Sequence, residues 1–326
     1  MVQRGTSEKG NRMGWLGRIG IALLVLIVAA GVAYWYLLAD GDVPAATQYK
    51  TDIEAWRALV AGDTAELPND VRVEVVAKDE LPFGIVQAAG GYKPYVMART
   101  AFQLNGPAGS VVIDAGMDKD IAKSTLRGRN PAYDEAANGR VIAAMGNSAR
   151  VVVTHEHPDH IAGVARFPVP ERLAERLTLT AKQFEGLRLW APGGIVPPAL
   201  ANATLIEPQT PVRVAPGIVM IPAEGHTPGT VMFYAKLASG AELLFLGDVA
   251  WSISNVTKPA IRPRLVQDYL MSPPESRGKV AAQIRALHDL SLAEPDLTMI
   301  PSHDETHIEQ LIEAGLIKRV FVIDAP

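Results

Sequence analysis

The sequence predicts a layered α/β domain behind one N-terminal transmembrane helix. Short runs of β-branched and aliphatic residues alternate with amphipathic helical patterns over most of the chain. Such alternation is typical of sheets covered by helices. A charge-free apolar stretch, residues 19–39, precedes these runs and is long enough for a helix to cross a bilayer.

Residues 19–39 are predicted to be a retained membrane anchor. The basic residues before it are Arg4, Lys9, Arg12 and Arg18. Acidic residues follow it, so the positive-inside rule places residues 1–18 in the cytoplasm and the rest of the chain outside, in the periplasm of a Gram-negative cell. A cleaved signal peptide is the alternative, but no convincing cleavage site follows Tyr36.

Beyond the anchor, residues 40–70 are predicted to be a linker and lead-in, with a short helix around 51–61. Residues 71–326 are predicted to form one domain. Amphipathic helices are predicted over 170–189 and 274–292. The predicted strands are 71–76, 95–104, 110–113, 150–154, 217–221, 231–235, 242–246, 297–300 and 319–323.

Composition narrows the classes of partner and ligand. The chain has 326 residues, a formal net charge of −4 and no long basic run, so we expect no nucleic-acid partner. Cysteine is absent. Imidazole and carboxylate are therefore the strong metal-binding groups that remain.

The segment His155-Glu156-His157-Pro158-Asp159-His160 directly follows a predicted strand. It holds three of the seven histidines of the chain. Alternating histidines on an irregular loop can converge on one ion, which leaves Asp159 and His160 for a second. A merely histidine-rich surface loop would not need to follow a buried strand.

Three more candidate ligands, His226, Asp248 and His303, each follow a predicted strand and enter a turn. Each alone is as readily a capping or solvated group. His288 and His307 fall in predicted helices and are expected to be structural.

In this order the motifs resemble those of the metallo-β-lactamase superfamily, over about residues 71–323. The resemblance implies an αββα sandwich with a metal site at the edge where two sheets meet. It implies that His155, His157 and His226 hold one metal, that Asp159, His160 and His303 hold the other, and that Asp248 bridges both. Asp114 resembles an aspartate that supports the site from outside the ligand set, although a plain strand-ending turn explains it equally well.

The resemblance implies a hydrolase in which two divalent ions share one water and lower its pKa, so that a bridging hydroxide attacks a polarised centre. Asp159 is predicted to accept the proton released at attack. Zinc is the first expectation for the metals, with iron, manganese or cobalt as alternatives. The residues Tyr269, Trp251 and Trp190 would shape a pocket or belong to the core.

The complete ligand set is similar to that of the lactonase, glyoxalase II-like thioesterase and phosphodiesterase branches. Among these, Ser302-His303-Asp304 near the C-terminus and the paired-metal set favour a small acyl ester, lactone or thioester as the expected substrate. A β-lactam substrate is less favoured, since the commonest zinc β-lactamases have cysteine at the position of Asp248. Persulfide dioxygenases, which bind a single iron, are the alternative enzyme class. A non-catalytic binding module is the alternative outside enzymes.

Overall fold

The computed structural model describes residues 14–323, so Arg4, Lys9 and Arg12 of the predicted cytoplasmic segment lie outside the described residues. Two β-sheets dominate these residues. The first sheet has the strand order β13-β1-β2-β3-β5-β6-β7, with β4 paired to β1. The second has the order β12-β11-β10-β9-β8. The strands are β1 (Asp70–Pro82), β2 (Pro94–Gly106), β3 (Gly109–Ile113), β4 (Arg129–Tyr133), β5 (Arg150–Val152), β6 (Leu177–Thr180), β7 (Thr204–Ile206), β8 (Val212–Ala215), β9 (Ile218–Pro222), β10 (Val231–Lys236), β11 (Glu242–Gly247), β12 (Leu297–Pro301) and β13 (Lys318–Arg319).

The two sheets pack face to face through apolar side chains. Phe102 of β2 and Phe245 of β11 meet at the centre, with ring centroids 4.9 Å apart. Both belong to one buried cluster that also draws on β1, β9 and β10. Alternate residues of each strand face this core, which is the pattern of a β-sandwich.

Helices cover the outer face of each sheet and complete four layers in the order αββα. Val141 and Ile161 join the cluster outside the first sheet. Ile284 and Leu287 join the cluster outside the second. The helices of the domain are α2 (Ile53–Leu59), α3 (Phe83–Val86), α4 (Lys119–Thr125), α5 (Glu135–Asn147), α6 (Pro158–Ala165), α7 (Pro170–Ala174), α8 (Ala181–Trp190), α9 (Ile253–Thr257), α10 (Arg277–Ala293) and α11 (Glu305–Glu313), and α1 (Trp15–Tyr34) precedes them.

The single helix predicted over residues 170–189 is wrong. The segment forms α7, then strand β6, then α8. Strand β6 has the sequence Leu-Thr-Leu-Thr and pairs in parallel with β5 and β7. An alternating, β-branched run of four residues favours a strand once neighbouring strands supply hydrogen bonds, and this overrides the helical spacing around it.

The end of the chain also differs from the prediction. Residues 319–323 were expected to form a strand, but β13 covers only Lys318–Arg319, which pair with β1. Val320 then has a φ of 67°, a left-handed conformation that β-branched residues rarely adopt. This turn ends the pairing with β1, and the backbone N–H of Phe321 instead donates to Glu74 Oε1 at 2.8 Å.

Helix α1 continues as a π-helix, Trp35–Ala39, so that one apolar helix runs over Trp15–Ala39. It begins four residues before the predicted span. Its apolar side chains do not pack on the domain, because none of the residues of α1 is buried. By length and composition it could be a membrane span or a signal sequence.

Residues 40–70, predicted as linker and lead-in, pack on the second sheet. Trp56 of α2 is completely buried and contacts Tyr234 of β10 with ring centroids 5.9 Å apart. Arg57 forms ion pairs with Glu242 at 2.7 Å and Glu294 at 2.8 Å. This segment is therefore a structural part of the domain.

Replacing Trp56 with alanine should lower the free energy of unfolding by about 3–5 kcal/mol, because it leaves a large cavity in a core cluster. Denaturant unfolding of the full chain in detergent micelles measures the change. Leu292→Ala, at a position that is 70% exposed, is the control and should change stability by roughly 0.5 kcal/mol or less. Equal effects of the two substitutions would contradict the packing of residues 40–70 described above.

Candidate metal centre

Four strand ends from both sheets meet at one rim of the sandwich. Strands β11 and β12 are parallel, and β9 runs in the same direction because β10 is antiparallel to both β9 and β11. Their carboxyl ends therefore lead into His226, Asp248 and His303. Strand β5 of the other sheet reaches the same rim, where Val231 N–H donates to Thr154 O at 2.8 Å.

The first group of donor atoms comprises His155, His157, His226 and Asp248. One nitrogen or oxygen from each lies within 4.8 Å of the others. His157 Nδ1 is 3.1 Å from His155 Nε2 and 2.8 Å from His226 Nε2. Two nitrogens that bind one tetrahedral zinc ion at about 2.05 Å are roughly 3.3 Å apart, so this spacing suits a shared ion.

The second group comprises Asp159, His160 and His303, whose donor atoms also lie within 4.8 Å of one another. His160 Nε2 is 3.4 Å from His303 Nε2. Asp159 Oδ2 is 3.6 Å from each of these nitrogens. The structure thus brings all seven predicted ligands together in two neighbouring groups.

Asp248 lies between the two groups and offers one oxygen to each. Oδ2 is 3.3 Å from His226 Nε2 and 3.6 Å from His155 Nε2. Oδ1 is 2.8 Å from His303 Nε2 and 3.4 Å from His160 Nε2. A carboxylate in this position can bind two cations at once.

Three of the imidazoles each donate a hydrogen bond from Nδ1 to an acceptor outside the proposed ligand set. His303 Nδ1 donates to Ala98 O at 2.5 Å. His226 Nδ1 donates to Glu275 Oε1 at 2.6 Å, and His160 Nδ1 donates to Asp114 Oδ2 at 2.8 Å. Because these acceptors hold the ring proton at Nδ1, each neutral imidazole presents the lone pair of Nε2 to the centre.

The buried atoms fit divalent metal ions. Nε2 of His303 and Oδ1 of Asp248 are 2.8 Å apart, and in neutral His303 neither atom has a proton to share. Oδ1 of Asp248 is buried without a hydrogen-bond partner. Lone pairs that converge in a buried site are unfavourable unless a cation lies between them. Nitrogen and carboxylate donors without thiolate suit zinc and also iron, manganese or cobalt.

The electrostatic environment shifts the pKa values of two of the histidines in opposite directions. Burial lowers the pKa of His157 to about 3, and the neighbouring imidazole of His226 acts in the same direction. Burial also opposes the charged form of His226, but Asp248 and Glu275 outweigh it and raise the pKa of this imidazole. Burial would raise the pKa of Asp248, but His303 and His160 hold it well below the usual range. The carboxylates thus draw positive charge into the centre.

Asp114, for which two interpretations were open, supports the site. It is fully buried and accepts the backbone N–H of Thr154 at 2.7 Å with Oδ1, while Oδ2 contacts His160. Its φ of 65° is a conformation that aspartate tolerates better than most residues. Thr154 Oγ1 lies 3.1 Å from His155 Nδ1, so one aspartate helps to orient two imidazoles.

Four residues support the ligands from outside the ligand set, and the sequence analysis missed three of them, Glu275, Arg262 and Arg99. Glu275 binds His226 and also pairs with the buried Arg262 at 2.6 Å. Trp251 Nε1 donates to Asp248 Oδ2 at 2.8 Å. Arg99, itself held by Asp79 at 3.0 Å, lies 3.3 Å from Asp159 Oδ2. These residues follow no motif, and only Trp251, predicted to be a pocket or core aromatic, carried a signal.

The remaining predicted residues lie away from the centre. His288 Nδ1 and His307 Nε2 each donate to a backbone carbonyl at 2.9 Å, as expected for structural histidines. Trp190 donates to Glu156 O at 2.9 Å, in the loop that holds His155 and His157. Tyr269 is 64% exposed and lies on the outer surface.

Two sheets flanked by helices define an αββα sandwich, and the donor atoms at its histidine- and aspartate-rich rim are suited to metal ions. Residues 110–267 match the family model described as a beta-lactamase superfamily domain. This region contains six of the seven predicted ligands, all except His303. Residues 110–267 therefore belong to a domain of the metallo-β-lactamase superfamily.

Solved structures share this fold at low sequence identity. An N-acyl homoserine lactone hydrolase with the product N-hexanoyl-L-homoserine at its catalytic metal centre is 16% identical, covers 75% of this chain and 96% of its own, and has a TM-score of 0.57. A quorum-quenching N-acyl homoserine lactone lactonase has the same identity and TM-score and is covered over 95% of its length. A probable metal-dependent hydrolase from Staphylococcus aureus is 14% identical, covers 73% and 91% of the two chains, and has a TM-score of 0.54. No curated protein matches the chain.

Replacing Asp248 with alanine should remove at least one of two metals per chain, because each group loses one carboxylate oxygen. Elemental analysis after dialysis of the purified full chain measures metal content. His288→Ala is the matched control, since the His288 imidazole donates to the Val256 carbonyl in the helical layer, and it should retain both metals. The two-group assignment would be excluded by equal metal loss in both variants.

Replacing Glu275 with glutamine should weaken metal binding about 10–100-fold, because the neutral amide holds the Nδ1 proton of His226 less firmly. Competition with a chelator of known affinity measures the change. Glu305→Gln, on the surface and paired with Lys78, is the control. An affinity unchanged by Glu275→Gln would show that Arg262 and the fold alone position His226.

Proposed function

We propose that this chain is a dinuclear metallohydrolase that cleaves an ester, lactone or thioester of a small acyl compound. The observation that carries the proposal is the position of Asp248, whose two oxygens face two different groups of ligands. A site for one metal would need only one of these groups. The persulfide dioxygenase alternative, with a single iron, leaves the other group unexplained.

In this proposal, His155, His157 and His226 hold the first metal, and Asp159, His160 and His303 hold the second. Two divalent ions that share a water lower its pKa toward neutrality and polarise a bound carbonyl group. We assign zinc to both sites first, with iron, manganese or cobalt as the other candidates.

Asp159 is proposed as both ligand and proton acceptor. Its side chain is 15% exposed, more than those of Asp248 and the buried histidines, so it borders the accessible side of the centre. Burial would raise its pKa, but His160, His303 and Arg99 lower it and keep the carboxylate ionised. An ionised carboxylate beside the reacting centre can accept a proton at neutral pH.

Lactones are the first substrates to test. The solved structure of the N-acyl homoserine lactone hydrolase shares the fold and carries the hydrolysed product at its metal centre. A lactone is also favoured over a β-lactam because this chain has Asp248 where the commonest zinc β-lactamases have cysteine. A small acyl compound is therefore the proposed partner of the site.

The helix Trp15–Ala39 is proposed to be a retained single-pass anchor of the inner membrane, with the domain on the periplasmic side. Leu38 O accepts the backbone N–H of Ala89 at 3.0 Å, and Arg264 lies over the ring of Tyr36 at 4.4 Å. A cleaved signal peptide has no need of specific contacts with the mature domain, so these contacts support retention.

The proposal is tested on the full chain purified in detergent with measured metal content. We expect N-hexanoyl-homoserine lactone to be hydrolysed, activity to be lost after removal of metal by a chelator, and activity to return when zinc is added. Thioesters, β-lactams and phosphodiesters complete the panel, and His288→Ala should match the wild-type chain. One iron per chain, with oxygen consumed on a glutathione persulfide, would instead establish the dioxygenase alternative.

A further inference from the structure

The apolar helix ends directly on the domain. Asp40, the residue after its last turn, is 3.1 Å from Arg264 and 3.2 Å from Arg277. Ile261 N–H donates to Gly41 O at 3.0 Å. Asp40 and Gly41, which directly follow the helix, are thus bound to the segment between β11 and α10.

The same segment exposes apolar side chains. Residues Leu265–Leu270 form a π-helical turn, in which Val266 and Gln267 are buried. Tyr269 is 64% exposed and Leu270 is 60% exposed, and Met271 follows them half-buried. Tyrosine beside aliphatic side chains is the composition that favours a membrane–water interface.

The buried residues of this turn contact Glu275 and Trp251, which orient two of the proposed ligands. Gln267 Nε2 donates to Glu275 Oε2 at 2.6 Å, and Glu275 binds His226. Val266 and Met271 pack in one cluster with Trp251, which donates to Asp248. A single short segment therefore joins the end of the anchor to residues that orient two proposed ligands.

We propose that Tyr269, Leu270 and Met271 rest on the phospholipid surface beside the anchor, so that the domain is held in one orientation with its metal centre near the bilayer. The inference rests on the anchor in the proposed function. Continuity with that anchor is what selects a lipid surface as the partner, because the exposed turn lies against the same residues that bind Asp40. The arrangement would give the centre access to amphiphilic acyl compounds that partition into the membrane.

The absence of cysteine allows single labels to test the docking surface. Leu270→Cys is labelled with an environment-sensitive fluorophore in the full chain, reconstituted into vesicles of phosphatidylcholine and phosphatidylglycerol that contain nitroxide lipids. Leu26→Cys, within the anchor, reports insertion. Leu292→Cys, also exposed, lies at the end of α10 about 22 Å from Arg277 along the helix, which makes it the matched control.

We expect the label at Leu270 to be quenched at least about twofold more than the label at Leu292, and the label at Leu26 to be quenched most. Tyr269→Cys provides a second position with the same expectation. Equal quenching at Leu270 and Leu292, with Leu26 quenched, would overturn the docking surface while leaving the anchor intact. An unquenched Leu26 would overturn the anchor and the docking surface together.

This readout does not depend on hydrolysis, so it separates the two proposals. Quenching at Leu270 in a chain that cleaves no member of the substrate panel would reject the proposed reaction and retain the docking surface. Hydrolysis without quenching at Leu270 would retain the proposed reaction and reject the docking surface.

Discussion

Buried nitrogen and oxygen lone pairs that point at one another are the constraint on which this molecule depends. Across the rim of the sandwich, imidazole nitrogens approach within 2.8–3.4 Å, and a carboxylate that binds no hydrogen donor at Oδ1 lies between them. Such an arrangement is costly in a polypeptide alone, since Asp248 Oδ1 has left water without gaining a donor. Divalent cations remove that cost, which is why the donor set indicates a metal centre more strongly than any single residue does.

The orientation of these donors is set by several layers of the fold. His160 is held by an aspartate at the end of β3, His303 by a carbonyl of β2, and His226 by a glutamate that precedes α10. The centre can therefore form only when both sheets and the helix outside the second sheet are in place. This explains why a rim built from short turns can hold its side chains within the few tenths of an ångström that metal binding requires.

The sequence was informative where a residue follows a regular strand and belongs to a motif. The loop after β5 and the turns holding His226, Asp248 and His303 could be placed at strand ends, and parallel strands then brought them to one edge. Glu275, Arg262 and Arg99 could not be found in this way, because their roles arise from contacts between segments far apart in the chain. Strand β6 was hidden for a related reason: its four residues have a helical spacing with their neighbours, and only pairing with β5 and β7 decides their conformation.

The segment between β11 and α10 connects the base of the apolar helix to the surroundings of His226 through three arginines. Arg262 is buried beside Glu275, whereas Arg264 and Arg277 face Asp40 at the base of the apolar helix. Arg277 also donates to Gln267 Oε1 at 2.5 Å, and Gln267 donates to Glu275. A buried ion pair is stable only when additional hydrogen bonds satisfy its remaining atoms. Here those bonds come from residues that also hold the end of the helix, so the carboxylate behind His226 owes part of its position to the contacts at the base of the apolar helix.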